Sequence, residues 1–225
     1  MPKPVAGNEK QEPGRVFTVR RETIRDGSEA WRPIRCKHAH TPITNGICVG
    51  GIIYYGAEKD CNGGPESLVM SFRVKSEEFN AIELPEAGLT IGICHHFVYY
   101  QGQPALVTKG EKGIGANGNG NAVIDMWLWN VIETMWEKNS VEIPGWIDVV
   151  NEEMFLYFRG STRTGHLVFS EDFVSKKPFY VVSYDPLTEV LNKVLINGVA
   201  RTDDEEETHF MTTFLDYAGT TELLF

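Results

Sequence analysis

A pair of bulky side chains seven residues apart recurs along this chain, and no other feature of the sequence restricts its fold so tightly. Phe72 and Phe79 return as Trp129 and Trp136, then as Tyr184 and Leu191, at offsets of 57 (129 − 72) and 55 (184 − 129) residues. Apolar stretches precede each pair at 52–55 and 68–70, at 97–100 and 105–107, and at 154–158 and 167–169. Another closes each unit, at 81–84, 141–143 and 194–196, and Pro85, Pro144 and Gly198 follow. Short β-branched and aromatic runs bounded by Gly, Asn and Pro are strand signals. A period of roughly 50 to 60 residues is within the range of β-propeller blades.

The spacing therefore predicts three units of about four strands, over residues 43–85, 89–144 and 146–198. Gly50 and Gly51 supply one hairpin turn and CNGGP the next. Residues 131–136 also fit a helical turn through Val131, Met135 and Trp136, but the repeat assigns them to a strand. Residues 16–19 and 31–36 match only the second half of a unit, with Trp31 in the place of Phe79 and Trp136. Residues 210–215 read as a terminal strand, expected to pair with that half unit or with unit three. The fold class is all-β: an incomplete β-propeller-like array of about three four-stranded, kelch-like units, a half unit at the N-terminus and a terminal strand. Residues 1–14 lack periodicity and are expected to be disordered or a linker, which leaves 15–225 as one domain.

Charge narrows the function classes. Against 31 Asp and Glu stand 21 Lys and Arg, a net charge of −10 with no basic stripe, so nucleic acid and anionic membrane surfaces are repelled. No apolar run of about 18 residues exists, and the first thirty residues lack a signal-peptide core. A soluble cytoplasmic or nuclear chain is expected, with Cys36, Cys48, Cys61 and Cys94 reduced and, as isolated cysteines in apolar contexts, buried.

Motifs of chemistry are sparse. Gly113, Gly115 and Gly118 satisfy GxGxxG, but the segment after them is strand-like and not a helix, so a flexible hairpin loop is the reading. Cys36, His38 and His40 alternate as on one strand face, while the adjacent His95 and His96 would point to opposite faces. That pattern supplies no second ligand pair, and no metal or other cofactor is expected. There is no GxSxG, and Asp148, Glu171, Asp172 and Asp185 are expected to be solvated. The Trp residues are first of all packing between units, Trp129 and Trp136 above all. Binding residues are sought in loops on a rigid scaffold: Gly115, Asn117 and Asn119 in the Gly- and Asn-rich connection 110–121, and Thr162 and Arg163 in the turn 160–165.

Several stretches together resemble one known family. They are AWRPIRC, GICVGGIIYYGA, VMSFRVKSEEFNAIELP, GSTRTGHLVF, VVSYDPLTEVLNKVLINGV and TFLDYAGTTELL, spread from about Val16 to the C-terminus. The chain resembles the F-box associated domain, type 3, of plant F-box proteins, a β-propeller-like module that follows an F-box. The resemblance implies a non-catalytic protein–protein interaction module that recruits an unknown protein substrate to a cullin-based ubiquitin ligase. Nothing in residues 1–45 resembles an F-box, so a Skp-type adaptor and a cullin are expected partners only where an F-box is supplied elsewhere. Two alternatives stay open: a carbohydrate or small-molecule binder using exposed aromatics, and a propeller enzyme with polar groups converging on its axis.

Overall fold

In each unit the landmark side chains are cross-strand neighbours. Phe72 faces Phe79, Trp129 faces Trp136 and Tyr184 faces Leu191. One further pair closes each hairpin, Arg73 with Glu78, Asn130 with Met135 and Asp185 with Val190, leaving the four-residue turns 74–77, 131–134 and 186–189. The last residue of every turn, Glu77, Thr134 or Glu189, is left-handed, with φ of 57, 53 and 55°. A short polar side chain ahead of the turn satisfies its N–H groups. Asn130 Oδ1 accepts from the amides of Ile132 and Glu133, both at 3.1 Å, and Asp185 Oδ1 from that of Leu187 at 2.9 Å. Arg73 holds this place in unit one and cannot do the same.

The computed structural model describes residues 15–17, 31–61, 64–91, 95–108, 113–151, 153–174, 177–198, 209–210 and 215. The expectations for residues 1–14 and for Cys94 lie outside them. A hairpin comes first, β1 (Arg15–Phe17) with β2 (Trp31–Pro33), in which Phe17 and Trp31 are paired in backbone register. Unit one has a split first strand, β3 (Thr41–Pro42) and β4 (Ile47–Val49), both on β5 (Ile52–Cys61), followed by β6 (Gly64–Arg73) and β7 (Glu78–Ile82). Unit two is β8 (His95–Tyr100), β9 (Gln103–Thr108), β10 (Ala122–Asn130) and β11 (Met135–Ile143). After a single helical turn, α1 (Trp146–Val149), unit three is β12 (Tyr157–Ser161), β13 (Leu167–Ser170), β15 (Phe179–Asp185) and β16 (Val190–Ile196). Its middle connection carries β14 (Phe173–Val174), which pairs with the terminal strand β17 (His209–Phe210). The terminal strand thus meets unit three, one of its two expected partners.

Each unit is an antiparallel meander. Units two and three share an eight-stranded sheet only because their first strands, β8 and β12, run parallel and pair at Tyr99 and Gly160. First strands side by side with later strands fanning outward is the arrangement of propeller blades. The fold is an all-β, partial propeller-like array.

Strand alternation gives each unit two faces, and both find partners. Unit two turns Phe97, Leu106, Trp127, Trp129 and Trp136 toward Ile52, Tyr54 and Val69 of unit one. Its other face, with Val98, Tyr100, Ala105 and Met126, meets Leu156, Phe158, Phe169 and Val182 of unit three. Trp129 and Trp136, ring centroids 5.1 Å apart, are half-buried between units, as their place in the repeat requires. Trp146, 1% exposed, is set by α1 edge-on to Phe169 at 4.9 Å.

Three readings of the sequence need correction. Residues 154–156 precede β12, with Met154 and Leu156 buried and Phe155 exposed, because the Leu156 carbonyl accepts from the amide of Ile114 at 2.7 Å and is satisfied by a loop. Residues 131–134 form the hairpin turn, so the strand assigned to 131–136 starts at Met135. Cys48 and Cys61 are exposed, not buried, and Cys36 is only partly covered. Cys48 sits outward between the inward Ile47 and Val49 of β4.

Candidate functional site

The loop residues singled out from the sequence fall into two groups at opposite ends of the strands. Residues 162–166 follow the first strand of unit three, and residues 113–121 follow the second strand of unit two. Since β8 and β12 are parallel, these loops lie a strand length apart, about 20 Å for six residues. Gly115, Asn117 and Asn119 are exposed together at one end. Asn117 Oδ1 accepts from the amides of Asn119 at 2.9 Å and Asn121 at 3.1 Å, so its side chain is spent in shaping the loop. The loop is fastened down: Gly145 N–H donates to Asn121 Oδ1 at 3.2 Å, and Ile147 N–H to the Gly120 carbonyl at 3.0 Å. A Cβ on Gly113 would lie 2.5 Å from the Leu156 carbonyl oxygen, so the loop crosses that backbone where only glycine fits. At the other end, Thr162 Oγ1 lies 2.9 Å from Thr164 Oγ1 and accepts from the His166 amide at 3.1 Å, while Arg163 is exposed at the tip.

Residues 34–40 form no strand, so alternation does not place Cys36, His38 and His40 on one face. Cys36 Sγ and His40 Nδ1 do approach, at 3.9 Å, but the His38 carbonyl, 2.7 Å from Nδ1, can only accept. Nδ1 therefore carries the proton, and Nε2 accepts from the Tyr55 hydroxyl at 2.7 Å. Burial pushes the Tyr55 phenol up to about 12. Among the described residues, no group of three or more His, Cys, Asp or Glu side chains is arranged to hold a metal ion. His95 and His96 start β8, in backbone register with Thr108 and Val107.

Two of the four acids expected to be solvated are not. Asp172 is 9% exposed and pairs with Arg159 at 2.7 Å, whose guanidinium also donates to Ser170 Oγ and to the carbonyls of Ser170 and Glu171. A buried carboxylate needs such a partner. Glu171 is half-buried, and burial raises its carboxyl above the usual range. Asp185, by contrast, is held below its usual range by the amide of Leu187 and the hydroxyl of Thr188. Asp148 is exposed.

One cavity among the described residues was not foreseen. A cleft of about 620 Å³ opens between units one and two. One wall is the face of unit one carrying Tyr54, Ser71 and Arg73; the other is the turn end of unit two, with Trp129, Thr134 and Trp136. Its floor is β7 and the residues after it, 80–85 without a gap. Trp136 spends its indole N–H on the Glu83 carbonyl at 2.8 Å, tying unit two to the outer strand of unit one. Arg73 is exposed and makes no ion pair with the described residues; its cross-strand neighbour Glu78 accepts from Ser76 Oγ at 2.8 Å. The one sequence sign of this site was Arg73 itself, standing where the other units carry a turn-capping Asn or Asp. No helix among the described residues is long and apolar enough to cross a membrane.

Comparison with known proteins agrees with this architecture. Residues 5–218 match the F-box associated beta propeller domain. Two Arabidopsis thaliana proteins named as F-box proteins are similar to the chain. One is 39% identical over 188 residues, 81% of this chain and 46% of the relative; the other is 35% identical over 224 residues, 97% and 55%. An F-box/kelch-repeat protein of the same plant is 31% identical over 174 residues, 76% of this chain and 41% of the relative. The chain spans about half the length of the curated relatives it matches.

Proposed function

We propose, starting from the fact that this chain belongs to the F-box associated beta propeller domain family, that it is a non-catalytic recognition module that selects a protein substrate for a cullin-based ubiquitin ligase. The observation that carries this reading is a division of labour between the two ends of the units. At one end the turns are short and repeat their geometry, at 74–77, 131–134 and 186–189. At the other the connections differ in length and sequence and are pinned by side-chain hydrogen bonds, as at 113–121. A scaffold that fixes its loops at low entropic cost presents a recognition surface. Contact with a Skp-type adaptor and cullin belongs to an F-box supplied outside this module.

The test is a fusion of the chain behind an F-box, expressed in plant cells next to the chain alone. Proteins captured by both should fall in abundance only with the fusion, and recover when the proteasome is inhibited. If the captured set keeps its abundance with the fusion, the substrate-selecting role is wrong.

A further inference from the structure

The cleft between units one and two is walled by the faces of sheets, so its occupant is recognised through side chains. β6 and β10 are each paired on both sides and offer no free edge. The Glu83 carbonyl is already taken by the Trp136 indole. Register puts Ile52, Tyr54, Ser71, Arg73, Asn80 and Ile82 on one face of unit one, and all six line the cavity. Ile52 and Tyr54 are buried, while the half-buried Trp129 and Trp136 of unit two supply the apolar wall opposite.

The polar groups of that face are unspent. Arg73 and Asn80 are exposed diagonal neighbours, and neither side chain makes a hydrogen bond or ion pair among the described residues. Glu78, directly across from Arg73, accepts from Ser76 Oγ instead. A guanidinium beside a primary amide can donate to both oxygens of one carboxylate. Glu83, exposed and five residues beyond the level of Arg73, repels a second acid. The apolar surface also continues past the mouth. Turn 131–134, which lines the cleft through Val131 and Thr134, leaves Val131 43% and Ile132 93% exposed. An Arg, two Trp and an apolar rim have the composition of a protein-binding hot spot, and such a rim offers more surface than a small acid can cover.

We infer that this cleft binds an acidic side chain of a partner protein, presented by a convex element, a turn or a helix, with an apolar residue beside it. The carboxylate takes Arg73 and Asn80, the apolar neighbour packs on Trp129 and Trp136, and flanking residues rest on Val131 and Ile132. This rests on the protein-recognition reading and adds a contact at the end of β10 opposite to the loop 113–121.

The probe is a phage-displayed library of disulfide-cyclised random peptides, selected on the whole chain, with the enriched peptides remade singly. The inference expects one Asp or Glu next to an aromatic or aliphatic residue, and slower hydrogen exchange at 131–136 on binding. Arg73→Gln, and exchange of the peptide's acid for its amide, should each weaken binding about tenfold or more, and together scarcely further than either alone. The peptide change tests the contact without touching the protein. Ile132→Ser, at a site too exposed to disturb folding, should weaken binding about threefold; circular dichroism checks both protein variants. Binding indifferent to Arg73→Gln and to the peptide's acid overturns the inference. Peptides that protect 113–121 or 162–166 and leave 131–136 unchanged also overturn it, with protein recognition left standing. Benzoate bound as tightly as the peptides overturns the protein occupant. No enriched peptide, with a glycan array bound instead, overturns both this inference and the protein-recognition reading.

Discussion

Gly160 is the residue on which the junction of units two and three depends. It sits in a β-bulge at φ 119°, and a Cβ there would lie 2.5 Å from the Tyr99 carbonyl oxygen. The parallel first strands can touch only because that atom is missing. Gly160→Ala is expected to lower stability by about 2 kcal/mol or more, through backbone strain and forced separation of the strands, as urea denaturation would measure. A second residue-scale expectation concerns Tyr55. Its phenol titrates higher in the fold than in the unfolded chain, so its contribution to stability is complete below about pH 10 and is lost as pH rises toward about 12. Burial also raises the phenols of Tyr54, Tyr100 and Tyr184, so absorbance at 295 nm should show one late-titrating tyrosine fewer in Tyr55→Phe, and denaturation midpoints of the two proteins should converge over that window. Neither residue announced itself in the sequence. Gly160 stood in a turn signal with other glycines, and the partner of Tyr55, His40, was read as one member of an alternating trio. Asp172 was read as solvated for the same reason, since nothing in the sequence ties it to Arg159 across β13.

The repeated hairpin is the element the sequence shows most plainly, because everything that defines it lies within a dozen residues. A seven-residue spacing, a four-residue turn and a cross-strand aromatic contact are one local fact seen three ways. Its cost is also local. Thr134 and Glu189 carry side chains at positive φ, a conformation unfavourable by about 1 to 2 kcal/mol for most residues and worse for a β-branched one. Thr134→Gly and Glu189→Gly are each expected to stabilise the protein by roughly 1 kcal/mol, Thr134→Gly by more, in thermal unfolding of single and double variants. The effects should add, since the turns share no partner. Elements whose partners are distant were harder to read. Residues 154–156 have the composition of a strand, and only their bond to residue 114, some forty positions earlier, removes them from one.

At the scale of the molecule, the two junctions between units are unequal. Units two and three share a hydrogen-bonded sheet and the larger apolar core, with Leu156, Phe158 and Phe169 all wholly buried. Among the described residues, units one and two share no strand pairing; they meet through side chains and the Trp136 to Glu83 bond. Native-state hydrogen exchange should therefore separate into tiers, with the amides of β5 and β6 opening at lower free energy than those of β9, β10 and β13. Trp136→Phe should lower the first tier and leave the second nearly unchanged. Equal protection across all five strands would mean that the array opens as one body. The number and order of units were legible because each obeys the same local grammar. The strength of their junctions was not, because it depends on which faces meet and on a single close approach.

The contrast between the two ends of the units bears on how such a chain can change over time. Insertions and deletions in a turn such as 131–134 shift strand register and carry every inward side chain to the wrong face. Those in 113–121 lengthen or shorten a connection whose anchors lie at its margins. Descendants of one ancestral array are therefore free to diverge at one end while the other stays as uniform as a binding spine, so that a large set of relatives can share a frame and differ in what they hold.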